Sequence, residues 1–409
     1  MQYTLRKNES NLDGEIVLPA SKSISNRVLI ISALAYSPYD IKNLSDSDDT
    51  KLMHAALYSN TNRFDIGHAG TAMRFLTAFL SKIVGEWVIT GSQRMKERPI
   101  RILVDALTRL GAKIEYEEKE GYPPLRIWGS ALKGGVLELD GSVSSQYISA
   151  LLMIAPTLQN GLTLRLKNKI ISRSYIDLTL KLMKQFGVRS YWGGNEIRIE
   201  EQAYQAREFT VESDWSAASY WYQLAALAPT ANLKLKGLRL PSLQGDATLA
   251  EWFTRFGIES KAEADGIRLI KKEEVTPTRL TLDFTENPDV AQTLAVLCVL
   301  KKIPFRFSGL ETLRIKETDR IAALQIELSK LGARIEEPKA GELSWDGSLT
   351  EVNKDEEIII STYKDHRMAM AFAPAAINYP GLKIDDPSVV TKSYPKYWED
   401  LKLVGFVIE

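Results

Sequence analysis

The segment SKSISNRVLIISALA, residues 21–35, carries the pattern that decides the fold. Its first seven residues are mostly polar and include Lys22 and Arg27, whereas residues 28–35 are almost entirely apolar. Apolar side chains on nearly every face predict a helix that is buried on all sides. The free N–H groups and partial positive charge at the start of such a helix suit an anion. The segment therefore predicts a buried helix that begins at an anion-binding turn.

This arrangement of a polar stretch and an apolar run recurs along the chain. Anchored at Lys22, the recurrences stand at Thr71, Ser145, Ser216, Asp289 and His366, with spacings of 49, 74, 71, 73 and 77 residues. A second, amphipathic series ends at Gly111, Gly187, Gly257, Gly332 and Gly405. Apolar residues three and four apart predict a helix face, the glycine predicts a helix C-cap, and β-rich segments follow it. We therefore predict an α/β chain of six repeated units, the first of them shortened.

Composition limits the class of protein. A length of 409 residues favours two or three domains, and equal totals of 52 basic and 52 acidic residues argue against nucleic acid or an anionic membrane as the main partner. No apolar run reaches the roughly 18–20 residues of a membrane span, and the first residues lack a signal-peptide pattern. The single cysteine, Cys298, lies in an apolar run and predicts a buried thiol. We expect a cytoplasmic protein with no metal and no cofactor.

Cations accompany the polar stretches and call for an explanation beyond helix capping. They are Lys22, Arg27, Arg74, Arg98, Arg314, Lys316, Arg320, Arg367 and Lys392. Ser, Thr, Asn and Asp at helix starts are ordinary N-caps, and a lone surface cation is usually solvated. Recurrence at corresponding places in the repeats instead favours a site for several anionic groups, since Arg suits carboxylate and phosphate.

Two carboxylates, Asp289 and Glu317, stand among these cations. We predict a helix over Lys316–Leu331 that places Lys316 and Arg320 on one face, with Glu317 beside them. A carboxylate among cations is a candidate general acid or base. A structural salt bridge is the alternative for Glu317, and the residues alone leave both open.

At these residues the sequence resembles the 5-enolpyruvylshikimate-3-phosphate (EPSP) synthase family. The resemblance covers nearly the whole chain, and its motifs follow the family's order. They are PASKSISNR (19–27), AGTAMR (69–74), RMKERPI (94–100), DGSVSSQ (140–146), QGD (244–246), RIKETDR (314–320), DHRMAM (365–370) and KSYP (392–395). It implies a two-domain inside-out α/β barrel, with three repeated units in each domain and a ligand cleft between the domains. By family position the domains are residues 1–20 plus 214–409, and residues 21–213.

The resemblance also implies a reaction of the shikimate pathway of aromatic amino acid biosynthesis. The enolpyruvyl group of phosphoenolpyruvate passes to the 5-hydroxyl of shikimate 3-phosphate, with release of phosphate, through a tetrahedral intermediate. Asp289 and Glu317 would transfer protons, with Lys22 and His366 close by. Shikimate 3-phosphate would bind Lys22, Ser23, Arg27, Ser144, Ser145, Gln146, Ser172, Asp289, Thr312 and Lys316. Phosphoenolpyruvate would bind Lys22, Gly70, Arg98, Gln146, Arg320, Arg367 and Lys392. No metal takes part, and we expect a monomer with small-molecule partners only.

The sequence departs from the family pattern at a few places. The segment 51–65 is shortened, His68 and Thr312 each replace a usual Asn, and Phe75 stands where many members carry Pro. Glyphosate occupies the phosphoenolpyruvate site of this family, and the retained Gly70 predicts that it binds here. Two alternatives stay open: UDP-N-acetylglucosamine enolpyruvyl transferase, a family that usually carries a reactive cysteine, and a non-catalytic anion-binding relative.

Overall fold

The computed structural model of the protein describes residues 2–7, 11–273, 275–351 and 357–409. The chain forms two compact units, Met1–Ala20 with Glu212–Glu409 and Ser21–Val211. We call them the terminal unit and the central unit. The boundary at 211/212 lies two residues before the 213/214 boundary that the sequence predicted.

Helices and strands are numbered along the chain. In the terminal unit they are β1 (Tyr3–Lys7), β2 (Leu12–Val17), α8 (Trp215–Leu227), β13 (Ala231–Lys236), α9 (Leu249–Trp252), β14 (Ile258–Glu263), β15 (Gly266–Lys271), β16 (Leu280–Asp283), α10 (Ala291–Leu300), β17 (Phe305–Ser308), α11 (Arg320–Ser329), β18 (Leu343–Trp345), β19 (Ile359–Ile360), α12 (His366–Phe372), β20 (Leu382–Ile384), α13 (Tyr397–Leu403) and β21 (Phe406–Ile408). In the central unit they are α1 (Lys22–Leu34), β3 (Ile41–Lys42), α2 (Asp48–Tyr58), β4 (Arg63–Asp65), α3 (Gly70–Leu80), β5 (Gly85–Thr90), α4 (Gln93–Lys96), α5 (Arg101–Arg109), β6 (Lys113–Tyr116), β7 (Leu125–Gly129), β8 (Lys133–Asp140), α6 (Ser145–Ile154), β9 (Gln159–Lys167), α7 (Arg173–Gln185), β10 (Tyr191–Gly193), β11 (Glu196–Ile199) and β12 (Phe209–Thr210).

One strand topology recurs in the sheets of both units. A parallel pair, whose second strand follows a buried helix, is extended on one side by antiparallel strands. The orders are β4-β5-β7-β6, β8-β9-β11-β10, β2-β13-β15-β14, β19-β20-β1-β21 and the shorter β16-β17-β18, with the parallel pair first in each. Parallel neighbours require a crossover connection, and each connection includes the buried helix; that between β2 and β13 also includes the whole central unit. The recurrence confirms the α/β fold class and agrees with the predicted repeats, while the barrel arrangement stays a prediction.

The first repeat is the exception, as its short spacing predicted. Strand β3 pairs in parallel with β12 over two residues, and this two-stranded sheet has no antiparallel extension among the described residues. After β3 the chain leads within a few residues into α2. The shortening therefore removes the antiparallel strands and retains the parallel pair and both helices.

The apolar helices form the cores that the sequence predicted. In the central unit α1, α3 and α6 contact one another, and in the terminal unit α10 contacts both α8 and α12. Cys298 on α10 is fully buried, and burial raises the pKa of its thiol, so the predicted structural role fits. The five glycines of the amphipathic series all have positive φ, between 74° and 97°, which an L side chain rarely adopts. Within the described residues, no helix has the length and apolar character of a bilayer span.

The predicted helix over Lys316–Leu331 is wrong at its start. Helix α11 begins at Arg320, and the carboxylate of Asp319 caps it by accepting from Ala322 N at 3.1 Å. Lys316 has φ −80° and ψ −149°, which is not helical backbone. An N-cap carboxylate satisfies an otherwise unpaired N–H group, so the helix starts there. Lys316 and Glu317 consequently lie on the loop ahead of the helix and not on one of its faces.

Candidate active site

Two helix starts of the central unit are joined directly by side chains. Helix α3 begins at Gly70 and α6 at Ser145, and the two helices pack together. The amide Nε2 of Gln146 donates to Oγ1 of Thr71 at 3.2 Å. Residues 75 positions apart in sequence therefore meet at the N-termini of two buried helices, where N–H groups favour an anion.

Lys22, in the first turn of α1, forms an ion pair that the sequence did not predict. Its Nζ lies 3.5 Å from Oδ2 of Asp49, a buried residue in the first turn of α2. A carboxylate at this distance restrains the position of the ammonium. The contact joins two elements of the shortened first repeat. The only sequence signal was the acidic cluster at the start of α2.

Arg27 is buried in the interior of the central unit. Its guanidinium donates from Nε to Oγ1 of Thr179 at 2.7 Å, from Nη2 to Oγ of Ser149 at 3.1 Å and from Nη1 to the carbonyl oxygen of Ser23 at 2.9 Å. Burial lowers the pKa of Arg27 to about 10. Hydroxyl and carbonyl oxygens hold this cation without cancelling its charge. Arg27 is therefore available to attract an anion through its field, although most of its donors are already engaged.

Gly70 and Arg98 are packed against each other. A Cβ atom at position 70 would lie 2.5 Å from Nη1 of Arg98, which is too close for any real contact. The buried Nε of Arg98 has no hydrogen-bond partner within the described chain. The guanidinium thus lies directly over the first residue of α3, and glycine is what leaves room for it.

The predicted serines occupy helix starts with different roles. Ser144 caps α6 by accepting from Gln146 N at 3.4 Å, as the ordinary capping interpretation holds. Ser172, at the start of α7, is buried and left-handed with φ 55°, and its side chain does not cap that helix. A non-glycine residue in this conformation is uncommon and marks a constrained position. Side-chain capping therefore does not explain Ser172.

In the terminal unit a cluster of charges surrounds Arg320, whose side chain is 1% exposed. Its Nε is 2.7 Å from Oδ2 of Asp365, its Nη1 is 3.0 Å from Oδ1 of Asp289, and its Nη2 is 2.9 Å from Oε2 of Glu317. Burial alone would lower the pKa of Arg320, but the three carboxylates together raise it above its usual range. The planar guanidinium fixes the directions of all three carboxylates.

Each candidate proton-transfer residue has further cationic partners. Oδ2 of Asp289 is 3.3 Å from Nη2 of Arg367, and its Oδ1 is 3.7 Å from Nζ of Lys316. Oε1 of Glu317 is 2.8 Å from Nζ of Lys392. Burial lowers the pKa of Lys316. The structure therefore brings all of the predicted cations of this unit except Arg314 into one cluster. Within it, Glu317 makes salt bridges to Arg320 and Lys392, as expected if its role were structural.

Asp365 is a member of this cluster that the prediction left out. It is fully buried, caps α12 by accepting from Arg367 N at 2.9 Å, and lies 3.5 Å from Nδ1 of His366. It also binds Arg320, so one carboxylate both caps α12 and fixes the orientation of the guanidinium. Its position immediately before α12 is typical of an N-cap, so the sequence did not predict its contact with Arg320.

Asp246 and Thr312 are two further residues of the terminal unit whose polar groups are buried. Asp246, from the quoted motif at 244–246, is buried, receives a hydrogen bond from Ser216 and another from Asn287 at 3.1 Å, and burial raises its pKa. The hydroxyl Oγ1 of Thr312 is buried without a hydrogen-bond partner in the described part of the protein. An unsatisfied buried hydroxyl is costly, so this atom is available to a bound group.

Arg74 and Arg314 have partners within the protein. Arg74 donates to the carbonyl oxygens of Gly70 at 3.1 Å and Pro99 at 3.2 Å. Arg314 is 2.6 Å from Asp319 and also pairs with Glu337. Both therefore support local structure. The described residues contain no group of three or more His, Cys, Asp or Glu side chains placed to bind a metal.

The fold and these clusters point to a class of protein: an α/β chain of internal repeats whose clustered cations suit anionic groups and whose carboxylates lie among those cations. A sequence model of EPSP synthase (3-phosphoshikimate 1-carboxyvinyltransferase) matches residues 6–60 and 57–401. The 3-phosphoshikimate 1-carboxyvinyltransferase of Bacteroides fragilis strain YCH46 is 55% identical, covering 100% of this chain and 99% of that protein. The enzyme of the same name from Sulfurovum sp. strain NBC37-1 is 38% identical, covering 96% and 97%.

Solved structures agree on the fold. EPSP synthase from Acinetobacter baumannii matches with a TM-score of 0.78 at 20% identity, covering 100% of this chain and 99% of that chain. The chain belongs to the EPSP synthase (3-phosphoshikimate 1-carboxyvinyltransferase) family. The resemblance seen in the sequence motifs is confirmed.

Proposed function

We propose that this chain transfers the enolpyruvyl group of phosphoenolpyruvate to the 5-hydroxyl of shikimate 3-phosphate and releases phosphate. Family membership supports the reaction. One structural observation carries the assignment of roles: Asp289 and Glu317 share Arg320, and each contacts further cations. Proton-transfer groups and anion-binding groups are thus interleaved, as a reaction between two anionic substrates needs.

The proposed substrate contacts keep the assignment made from the sequence. Shikimate 3-phosphate is assigned to Lys22, Ser23, Arg27, Ser144, Ser145, Gln146, Ser172, Asp289, Thr312 and Lys316. Phosphoenolpyruvate is assigned to Lys22, Gly70, Arg98, Gln146, Arg320, Arg367 and Lys392. Three observations support these assignments: Arg27 is held by hydroxyl and carbonyl oxygens, the buried hydroxyl of Thr312 has no hydrogen-bond partner among the described residues, and Arg98 packs over Gly70.

The chemistry proceeds by addition and then elimination. In the addition, the 5-hydroxyl oxygen bonds to C2 of phosphoenolpyruvate, its proton passes to a base, and C3 takes up a proton. In the elimination, the bond from C2 to the phosphate oxygen breaks and C3 loses a proton, which restores the double bond. We assign these transfers to Asp289 and Glu317, with Lys22 and His366 in support, without dividing the two steps between the carboxylates.

Substrate binding would act on the same contacts that hold the two carboxylates. Arg367 contacts Asp289, and Lys392 contacts Glu317. A phosphate or carboxylate that binds these cations competes with the two contacts. The cations proposed to bind phosphoenolpyruvate are therefore the ones that position the proposed proton-transfer groups.

Phosphate release tests the proposal directly. We expect release from phosphoenolpyruvate that depends on shikimate 3-phosphate. UDP-N-acetylglucosamine as acceptor is the control for the alternative transferase and should give none. Absence of release with either acceptor would instead support the non-catalytic relative.

Glyphosate gives a second measurement on the same assignment. Gly70 is retained and packs against Arg98, so we expect glyphosate to compete with phosphoenolpyruvate. An inhibition constant more than about a hundredfold above the KM for phosphoenolpyruvate would contradict this expectation. That ratio corresponds to a difference of about 2.7 kcal/mol in free energy. We also propose a cytoplasmic monomer, which sedimentation velocity and cell fractionation would test.

A further inference from the structure

A strained turn precedes the charged helix start of the terminal unit. Tyr363 and Lys364 have φ 54° and 57°, so two successive residues with side chains adopt the left-handed conformation. Such residues are uncommon, and they persist only where the surrounding structure holds them in place. The next three residues are Asp365, His366 and Arg367. Any relaxation of the turn would therefore move the start of α12.

A buried carboxylate holds this turn. Glu327 on α11 is completely buried, and its Oε1 accepts a hydrogen bond from the hydroxyl of Tyr363 at 2.7 Å. Its Oε2 accepts from Ser361 N at 3.0 Å and from Nζ of Lys330 at 2.7 Å. The same ammonium donates to the carbonyl oxygen of Ile359 at 2.8 Å. A buried charge that is paired and hydrogen-bonded in this way is costly to disturb, so it restrains the segment firmly.

The turn is also restrained from its other side. Thr362 N donates to Oδ1 of Asp385 at 2.9 Å, and Asp365 N donates to the carbonyl oxygen of Thr362 at 2.9 Å. Side chains of α11 and of Asp385, which directly follows β20, thus bond to residues 361–365.

Helix α11 carries two anchors for one segment. Arg320 in its first turn binds Asp365, and Glu327 binds Ser361 and Tyr363. The two anchors are seven residues apart, about two helical turns or roughly 10.5 Å, so both lie on one face of the helix. A rigid helix that grips a segment at two points fixes the orientation of that segment as well as its position.

We propose that Glu327 and Tyr363 are positioning residues for the reaction, acting through the turn 363–364 to place Asp365, His366 and Arg367. This proposal rests on the proposed function, because Arg367 is assigned to phosphoenolpyruvate. Neither residue is among those assigned to a substrate. Their effect is to hold a strained backbone in the one conformation that aims Arg367.

Tyr363→Phe tests the proposal by removing one hydroxyl. A buried hydrogen bond to a carboxylate is among the stronger ones, so its loss should loosen the turn, and we expect the KM for phosphoenolpyruvate to rise about tenfold or more. The KM for shikimate 3-phosphate should change less than about twofold. Tyr222→Phe is the matched control, since its hydroxyl makes a bond of the same length, 2.7 Å, to Ser260 in the same unit. An equal rise in the KM for phosphoenolpyruvate in both variants would show that Tyr363 has only a structural role and would overturn the proposal.

Rescue provides a readout that general destabilisation would not give. Glycine adopts positive φ without strain, so adding Lys364→Gly to Tyr363→Phe should restore most of the lost affinity for phosphoenolpyruvate. Failure of this rescue would count against the proposal. Glu327→Gln, which keeps the shape of the side chain, is the second variant should Tyr363→Phe not fold. We expect it to show the same selective rise in KM.

Hydrogen exchange separates this proposal from the proposed function. The amide of Asp365 is protected by its bond to Thr362, so exchange in residues 359–367 should accelerate at least about tenfold in Tyr363→Phe and stay unchanged in Tyr222→Phe. Unchanged exchange in Tyr363→Phe would overturn the positioning role. This measurement needs no substrate, whereas absent phosphate release in the unmodified protein would overturn only the assigned reaction.

Discussion

Arg27 in the central unit and Arg320 in the terminal unit are both buried, but they have opposite partners. Arg27 donates to hydroxyl and carbonyl oxygens, and its pKa is lowered to about 10. Arg320 contacts three carboxylates, and its pKa is raised. Neutral partners do not offset the charge of Arg27, whereas three carboxylates offset that of Arg320. Under the proposed function, the same residue type would attract an anion in one unit and orient proton-transfer groups in the other.

Replacing Asp289, one of the carboxylates around Arg320, should have the largest effect. Asp289→Asn keeps the shape of the side chain but removes its ability to exchange a proton, so turnover should fall roughly a thousandfold. Binding of shikimate 3-phosphate, measured by calorimetry, should change little. Asp346→Asn is the control, because that exposed carboxylate bonds only to Ser348 among the partners described. Retention of more than a tenth of the turnover would remove Asp289 from the proton-transfer pair.

Arg320→Lys breaks the shared guanidinium and should have the next largest effect. One ammonium cannot hold three carboxylates in fixed directions, so turnover should fall about a hundredfold. Loss of buried pairing should also lower the free energy of unfolding by about 3 kcal/mol. Denaturant melts and steady-state kinetics measure both quantities. Arg314→Lys, an exposed ion-paired arginine of the same unit, should change neither, and equal losses in the two variants would contradict the special role of Arg320.

Gly70→Ala tests the proposed binding of phosphoenolpyruvate by Arg98 in the central unit. The added Cβ would meet Nη1 of Arg98 at 2.5 Å and displace the guanidinium. Loss of one charge-assisted bond is worth about 1.5–3 kcal/mol, so the KM for phosphoenolpyruvate should rise about tenfold. The KM for shikimate 3-phosphate is the internal control and should change far less. A parallel rise in both constants would mean that the helix start, and not Arg98, has been disturbed.

Asp246→Asn should give the smallest effect and concerns stability. Burial raises the pKa of Asp246 above its ordinary 3.8. As pH rises from 3.8 through the folded-state pKa, the unfolded chain releases this proton first, so the free energy of unfolding falls. The Asn variant lacks this loss and should gain in Tm relative to the unmodified protein across that window. A Tm difference that is independent of pH would show that the carboxyl is not the cause.

Sequence reasoning succeeded where the signal is local and repeated. The apolar runs and the glycines with positive φ follow directly from periodicity, and the strand topology then recurs with them. It failed at the start of α11, because apolar spacing over 321–331 says nothing about where an N-cap such as Asp319 begins the helix. It also passed over Glu327, which reads as the polar face of an amphipathic helix but is completely buried.

The sequence by itself determined the six-fold repetition, the buried helices, the family and the set of cations, since each rests on residue type and spacing. Only the tertiary structure decided which carboxylate each cation meets. Asp365 reaches Arg320 across 45 positions, Asp49 reaches Lys22 across 27, and Tyr363 reaches Glu327 across 36. Such pairs leave no periodic signal, because their partners are brought together by the packing of helices and not by neighbourhood in the chain.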